Sequence, residues 1–521
     1  MTFPRLGAVV FTVLFTVIVH EVGTGDGFLA EAKGSRGAAG SKETAIPTPG
    51  SEVLAHFLMG NLYDNSGKTE NATEEYRKAL ALDPKNTETQ VKLGSSLLFA
   101  GKFGEAADIL RKTIEIDPGN TGAYLLLAFI HTARNESQEA KKCYKSALEI
   151  DPGNVRAMTF LADLLIQENK IEEAAELYEK IVEADEEETF AYFNLGILYG
   201  KLGRFEKAEQ FLESAIERES EYIEARLLLG FLYEVEGRTD EAIGLYESVT
   251  EIDEKNVDAR VRLSGIYRKT SLFKKALDEN RKIMDIEPFS PEPYLASYEI
   301  YITAERYKEA GDILEEALAK GFSLGPVHAG LGYAAAKTGN HKEAVGRYRE
   351  ALEQSPGNDA YKFYMALSFD SMGQLEKAIK ILETALAEGT ERPEIYNYLG
   401  YAYAEEGKDL DVAEELVKKA IAMDPENGAY IDSLGWVYYK QGKSKKALEE
   451  IKKAAEYLPQ DPTLRDHLGD VYYSLGDLEK ASEEWKSSLG LDPGVSGIKE
   501  KVERVKNEIK QKRRKGKVGI R

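Results

Sequence analysis

A single cysteine, Cys143, stands among the 521 residues of this chain. One thiol excludes an internal disulfide framework and any zinc site built on four cysteines. No base lies at hydrogen-bonding spacing from Cys143 along its own segment, so a structural thiol is expected. Histidine is also sparse. His20, His56, His131, His328, His341 and His467 never come within four residues of one another, which excludes a helical His-Glu-x-x-His metal motif. A phosphate loop is missing as well: Gly67-Lys68-Thr69 has the ending of one, but Leu62 stands where its first glycine is needed. Positive charge is in deficit, with Lys+Arg 68 against Asp+Glu 90 and a net charge of -22, so nucleic acid is not an expected partner of the whole surface. Carboxylates are abundant, yet no pair is singled out by spacing for acid–base work.

The chain nevertheless has the means to fold, since 43% of its residues are hydrophobic and 30% are charged. A length of 521 would suggest roughly three to five domains at ~100–200 residues each. The internal pattern described below replaces that count.

Residues 1–32 differ from the rest. Arg5 and the amino terminus precede an uncharged run, Leu6–Val19, and Ala30-Glu31-Ala32 follows. The run has 14 residues, short of the ~18–20 of a membrane-spanning helix and suited to a secretory signal. An uncleaved N-terminal anchor is the alternative reading. No cysteine lies near the small residues, which excludes a lipoprotein anchor. Residues 33–52 are rich in Gly, Ser and Pro and read as a flexible linker.

The body is periodic. Alanine recurs every 34 residues from Ala72 through Ala106, Ala140 and Ala174 to Ala378, and after a one-residue insertion near Asp409 it resumes at Ala413, Ala447 and Ala481. Glycine often precedes it by 12 residues, as Gly60, Gly94, Gly196, Gly230, Gly332, Gly435 and Gly469, and Tyr63, Tyr199, Tyr233, Tyr438 and Tyr472 keep the same phase. Near the unit ends stand Pro84, Pro118, Pro152, Pro288, Pro356, Pro425, Pro459 and Pro493. Thirteen units result: 53–86, 87–120, 121–154, 155–188, 189–222, 223–256, 257–290, 291–324, 325–358, 359–392, 393–427, 428–461 and 462–495. Apolar residues at helical spacing in each half predict a helical hairpin, with a glycine ending the first helix and Asp-Pro separating one hairpin from the next.

These units resemble tetratricopeptide repeats. Repeat nine carries Leu331-Gly332, Ala344, Tyr348, Ala351 and Pro356, and repeat twelve carries Leu434-Gly435, Tyr438, Ala447, Ala454 and Pro459. The resemblance implies an all-α, α-solenoid superhelix of about 13 hairpins whose first helices line a concave groove that binds proteins or peptides. Departures fall at Glu186, Ser220 and Glu254, at Phe322 and at Thr390, where the terminal proline is missing. A hinge is expected at Gly321–Pro326, and local irregularity at the insertion.

Positions three before and one and four after the glycine are those the resemblance turns toward the groove. Repeats three to six place Leu125, Phe129, Phe190, Phe193, Ile197, Leu227 and Phe231 there, an apolar strip. The C-terminal repeats place Tyr333, Phe363, Asn397, Tyr401, Asp432, Trp436, Tyr439, Asp466, Asp470 and Tyr473 there. Aromatic rings with polar handles are the type of surface that anchors a partner, and Asp432 with Asp466 suggests a basic one. Some members of the family clamp a C-terminal carboxylate with Lys and Asn. Here Asn61 has a clamp-like place, but Phe57 stands where the lysine is needed.

Residues 499–521 hold eleven Lys/Arg and three Glu, a net +8. Residues 496–512 are expected to form a capping helix, and 513–521 a disordered basic tail in weak contact with a membrane surface through 512–521. On this reading the chain is a non-catalytic scaffold without cofactor or metal. It is exported, to the periplasm or cell envelope if bacterial, and acts in envelope assembly or secretion. The alternative is a non-catalytic repeat subunit of a polysaccharide synthesis or export machine, or of a glycosyltransferase machine.

Overall fold

Each 34-residue period folds as two helices because its apolar residues recur three and four apart in both halves, and because each end carries its own stop signal. The computed structural model describes residues 49–494 and 497–518. Among them are 27 α-helices and no strands: thirteen consecutive hairpins, from Pro49–Asn65 with Thr69–Leu82 to Pro462–Ser474 with Leu478–Leu491, and then one long helix, Ile498–Val518. The chain is an all-α solenoid. Its contacts gather into two compact units, Met1–Ala259 and Arg260–Arg521.

Inside every hairpin the turn requires one residue with left-handed backbone. Nine turns use glycine, beginning with Gly67 at φ 68°, and four use Asn135, Asn169, Ser271 and Glu305 at φ 55–60°. The insertion near Asp409 is absorbed by a second left-handed residue. Gly407 ends Pro393–Glu406 at φ 66°, and Asp409 at φ 46° starts Leu410–Met423. The Gln441 side chain then donates to the Leu410 carbonyl at 3.1 Å and fixes the longer turn.

The two helices of a hairpin cross at the small residues. Ala72, Ala106, Ala447 and Ala481 are fully buried. A Cβ on Gly435 would come within 2.3 Å of Ile451, and one on Gly469 within 2.4 Å of Trp485, so neither site has room for even a methyl group.

Between hairpins, asparagine starts the next first helix. Asn86, Asn120, Asn154 and Asn358 each accept a hydrogen bond from the backbone N–H three residues on, and Asp461 does the same for Leu464. Repeats four and five, which lack the terminal proline, use arginine instead. Arg218 donates to the Glu186 carbonyl at 2.7 Å and to the Tyr192 hydroxyl at 2.7 Å, and Arg226 donates to the Ser220 carbonyl at 2.6 Å.

Three expectations change. The first helix begins at Pro49, inside the stretch read as linker, because proline suits a first turn. The last helix continues to Val518, past residue 512, as a Lys/Arg-rich segment readily does. The Gly321–Pro326 segment is tied down rather than left as a free hinge. Phe322 packs 5.7 Å from Tyr294, Gln354 donates to the Ser323 carbonyl at 2.9 Å, and the Ser323 hydroxyl meets His328 Nε2 at 2.9 Å. Residues 1–32, read from the sequence as an export signal or anchor, lie outside the described residues, as do most of the linker and the final residues 519–521.

Candidate functional site

Stacking hairpins with a 34-residue period brings residue n of one first helix beside residues n+31 and n+35, which lie on the first helix of the next repeat or on the last helix. These neighbours determine what each candidate residue does.

In the first unit the partners are apolar. Phe129, Ile197 and Phe231 are half-buried, as are Leu125 and Leu227. Phe193 is buried, its ring 5.1 Å from Tyr222, and so is part of the packing rather than an accessible contact. The Asn61 side-chain oxygen accepts a hydrogen bond from the Tyr76 hydroxyl at 2.8 Å, and Phe57 packs 6.1 Å from the same ring, so no carboxylate clamp is assembled there. Cys143 is half-buried, and burial pushes its thiol up, away from thiolate chemistry.

In the second unit the face is aromatic and then polar. Tyr333 and Phe363 are half-buried and meet across Tyr364, 5.7 Å from one and 5.8 Å from the other, with Tyr398 6.4 Å from Phe363. Tyr364 is 37% exposed and was missed by counting from the glycine, since it stands one residue beyond the expected position. Burial, helped by neighbouring tyrosines, raises the Tyr298 and Tyr348 hydroxyls, so both remain neutral donors. Asn397 and Tyr401 are half-buried, and burial likewise raises the Tyr401 hydroxyl, with Glu405 and Asp432 adding to the shift.

The next first helix, Gly428–Lys440, requires a correction. Asp432 and Trp436 are 9% and 7% exposed and are not open to a partner. Asp432 is paired with His467 Nδ1 at 2.8 Å, and the His467 ring stacks on Trp436 at a centroid distance of 4.0 Å. Trp436 donates its indole N–H to Glu405 and also stacks with Tyr439 at 4.9 Å, itself half-buried. Burial alone would lower the His467 pKa, but Asp432, with Asp466 and Asp470 behind it, raises it on balance. The cluster is therefore a closed histidine–carboxylate clasp. The adjacent Ser433 hydroxyl is committed to the Ala429 carbonyl at 3.0 Å and is not held as a nucleophile.

One repeat on, the geometry recurs. Lys501, on Ile498–Val518, reaches Asp466 and Asp470 at 2.7 Å each. Burial raises the Asp470 carboxyl while Lys501 opposes the shift. Tyr473 donates its hydroxyl to Glu508 at 2.9 Å, under Arg504. The carboxylates that suggested a basic partner are thus matched from within: Asp432 by His467, Asp466 by Lys501. His467 carried no motif of its own. Its signal lies in its distances, 35 residues after Asp432 and 31 after Trp436, which Lys501 repeats from Asp466 and Asp470.

What remains accessible is an aromatic row, with Tyr333, Phe363, Tyr401 and Tyr439 half-buried and Tyr364 exposed. Among the described residues no group of three or more His, Cys, Asp or Glu is placed to hold a metal ion. Among the same residues no helix is long and apolar enough to cross a membrane.

Family models described as tetratricopeptide repeat match residues 53–86, 97–146, 138–195, 189–222, 299–359, 335–400 and 433–495, together more than half of the chain. No curated protein matches the sequence. Solved structures that resemble it include the APC/C hetero-tetramer Cut9–Hcn1, at 16% identity over 87% of this chain and 96% of that one, with a TM-score of 0.41. YrrB, described as a TPR protein with an unusual peptide-binding site, is 26% identical over 38% of this chain and 99% of its own, with a TM-score of 0.32. A tetratricopeptide repeat protein from Parabacteroides merdae ATCC 43184 is 17% identical over 54% of this chain and 98% of its own, with a TM-score of 0.30.

Proposed function

The chain belongs to the tetratricopeptide repeat family, a protein-interaction scaffold fold, and we propose that it is an exported, non-catalytic scaffold that holds partner proteins on the first-helix face of repeats nine to twelve. The observation that carries this reading is the aromatic row from Tyr333 to Tyr439. Four of its residues are half-buried and Tyr364 is exposed, so the row is packed against its neighbours yet keeps accessible surface. Ordered aromatic edges lose little side-chain entropy on binding and serve as anchors. The carboxylates nearby are internally neutralised, so the expected partner segment is apolar or aromatic rather than basic.

Export is supported by the uncharged run Leu6–Val19 and the small residues at Ala30-Glu31-Ala32. The compartment that fits is the periplasm or cell envelope of a bacterium, and the role that fits is envelope assembly or secretion. The basic end 512–521 adds a weak membrane-surface contact through anionic lipid headgroups. Chemical cross-linking in intact cells, followed by affinity capture and mass spectrometry, tests the binding face. Replacing Phe363 and Tyr439 by Ala should reduce the captured partners at least tenfold, while Phe99→Ala, at an exposed ring in repeat two, leaves them unchanged. Equal capture by both variants rejects the aromatic row. Polysaccharide-synthesis subunits among the captured proteins would move the assignment to a non-catalytic subunit of such a machine. N-terminal sequencing decides export separately: a start near Lys33 supports cleavage, and an intact Met1 supports an anchor.

A further inference from the structure

Repeats seven and eight depart from the other hairpins in what fills their cores. In repeat six Gly230 and Tyr246 face each other across the hairpin, since a Cβ on Gly230 would come within 2.8 Å of the Tyr246 ring. One period on, those two places are held by Ser264 and Asn280, both buried. A third exchange follows in repeat eight. The place that Leu93, Leu127, Leu229 and Leu331 fill in repeats two, three, six and nine is taken there by Ser297, also buried. The three polar side chains are linked in series. The Ser264 hydroxyl donates to Asn280 Oδ1 at 2.7 Å, Asn280 Nδ2 donates to the Ser297 hydroxyl at 3.1 Å, and Ser297 donates to the Pro293 carbonyl at 2.8 Å.

A serine cannot fill the space of a leucine, and a cavity of about 190 Å³ lies beside Ser297. Leu277 and Met284 of Phe273–Ile286, with Ile313 of Tyr307–Ala319, give it apolar walls, and Tyr301 adds a ring. An apolar cavity of ~150 Å³ already admits benzene. Asp278 and Arg281 also line it and are exposed, so they mark its rim. The Arg281 guanidinium is matched by Glu316 at 2.7 Å, which leaves the Asp278 carboxylate to set the charge there and disfavours an anion. A serine hydroxyl has one proton and two lone pairs. Ser297 has committed its proton to Pro293 and one lone pair to Asn280, so what it offers the cavity is an acceptor.

We infer that this cavity is a binding site for a compact, non-anionic molecule with an apolar body and one hydroxyl, a phenol or a branched alcohol. The body takes the place of the missing leucine, and the hydroxyl donates to Ser297. The site is separate from the aromatic row, none of whose residues lines it.

Fluorine NMR of para-fluorophenol titrated with the full chain tests the site. The resonance is expected to shift saturably, with a Kd in the low millimolar range or tighter. In the same titration the methyl resonances of Met284 and Ile313 should move. Ser297→Leu restores the residue of the other repeats and fills the cavity, so it should weaken binding by about tenfold or more, with a thermal melt to verify that the variant is folded. In the unchanged chain para-fluoroanisole, which keeps the ring but lacks the hydroxyl proton, should bind about threefold more weakly or worse. The inference is overturned by any of four results: no saturable shift, Met284 and Ile313 methyls that stay in place, undiminished binding by a folded Ser297→Leu chain, or equal binding of para-fluoroanisole.

Discussion

The same two first-helix positions hold Phe193 and Ile197 in the first unit and Asp432 and Trp436 in the second. Phe193 is sealed by contact with Tyr222, and nothing about it titrates. Asp432 is sealed to the same degree but brings a carboxyl group into that slot, and His467 answers it at 2.8 Å. The difference shows two ways of closing one geometric slot. Apolar residues close it by exclusion of water and tolerate approximate fits. A carboxylate closes it only with a partner at the right register, and failure then costs the desolvation of a bare charge.

The largest expected effect breaks that register. Asp432→Ala leaves His467 buried without its acceptor and should destabilise the second unit by about 1–3 kcal/mol. Phe193→Leu, at the matching position, should cost less than about 1.5 kcal/mol. Replacing Asp432 and His467 together by Leu should recover most of the loss, since two apolar groups need no partner. Denaturant unfolding monitored by hydrogen exchange in each unit measures all three. If the double variant is as unstable as Asp432→Ala, the clasp reading is wrong.

A smaller effect sets the units apart by pH. The folded His467 pKa is raised, so its contribution is fully present below the ordinary histidine value of about 6.5 and is lost as pH climbs through the folded value. The second unit should therefore soften above about pH 6.5, and His467→Gln should remove that dependence. In the first unit Asp163 titrates in the opposite sense, since burial raises it to about 6 against the opposing hydrogen bond from Tyr178. There the protonated acid is the favoured form, so stability falls as pH rises from about 4 to the folded value and then levels off. Asp163→Asn should stabilise the first unit at pH 7 by about 1–2 kcal/mol and leave it unchanged below pH 4. Thermal melts across the two windows, read by exchange in each unit, separate the cases.

How much of this could be read from the amino acids depends on what each residue must satisfy. Ala72, Gly435 and the Asp-Pro boundaries announce hairpins because helix crossings and helix ends accept few residue types, and thirteen copies make the pattern unmistakable. Exposure could not be read the same way. Trp436 and Asp432 stand at positions that the repeat turns outward, and only His467 and Glu405, on neighbouring first helices, show that they are covered. The pairing rule was present as distances of 31 and 35 residues, but it gains meaning only once the stacking geometry is known. Met59 and Leu62 are the converse case. They take the places that Leu127 and Ile130 fill in repeat three, yet Met59 is 40% and Leu62 57% exposed.

The smallest effect concerns the turns, where the two units again solve one problem differently. Among the non-glycine turn residues, the first unit uses Asn135 and Asn169, and the second uses Ser271 and Glu305. Asparagine tolerates left-handed backbone well, whereas a longer side chain such as glutamate meets the following carbonyl at a cost of roughly 1–2 kcal/mol. Glycine relieves that clash but gives back part of the gain through the greater freedom of the unfolded chain, about 0.4–1 kcal/mol. Glu305→Gly should therefore stabilise the second unit by roughly 0.5–1 kcal/mol. Asn169→Gly should shift the first unit by no more than a few tenths of a kcal/mol in either direction. The Glu305 backbone N–H donates to the Ile302 carbonyl at 3.0 Å, a bond that glycine keeps. A gain at Asn169 equal to that at Glu305 would mean that left-handed strain is the same in both units, and the contrast between them would then rest on the buried pairs alone.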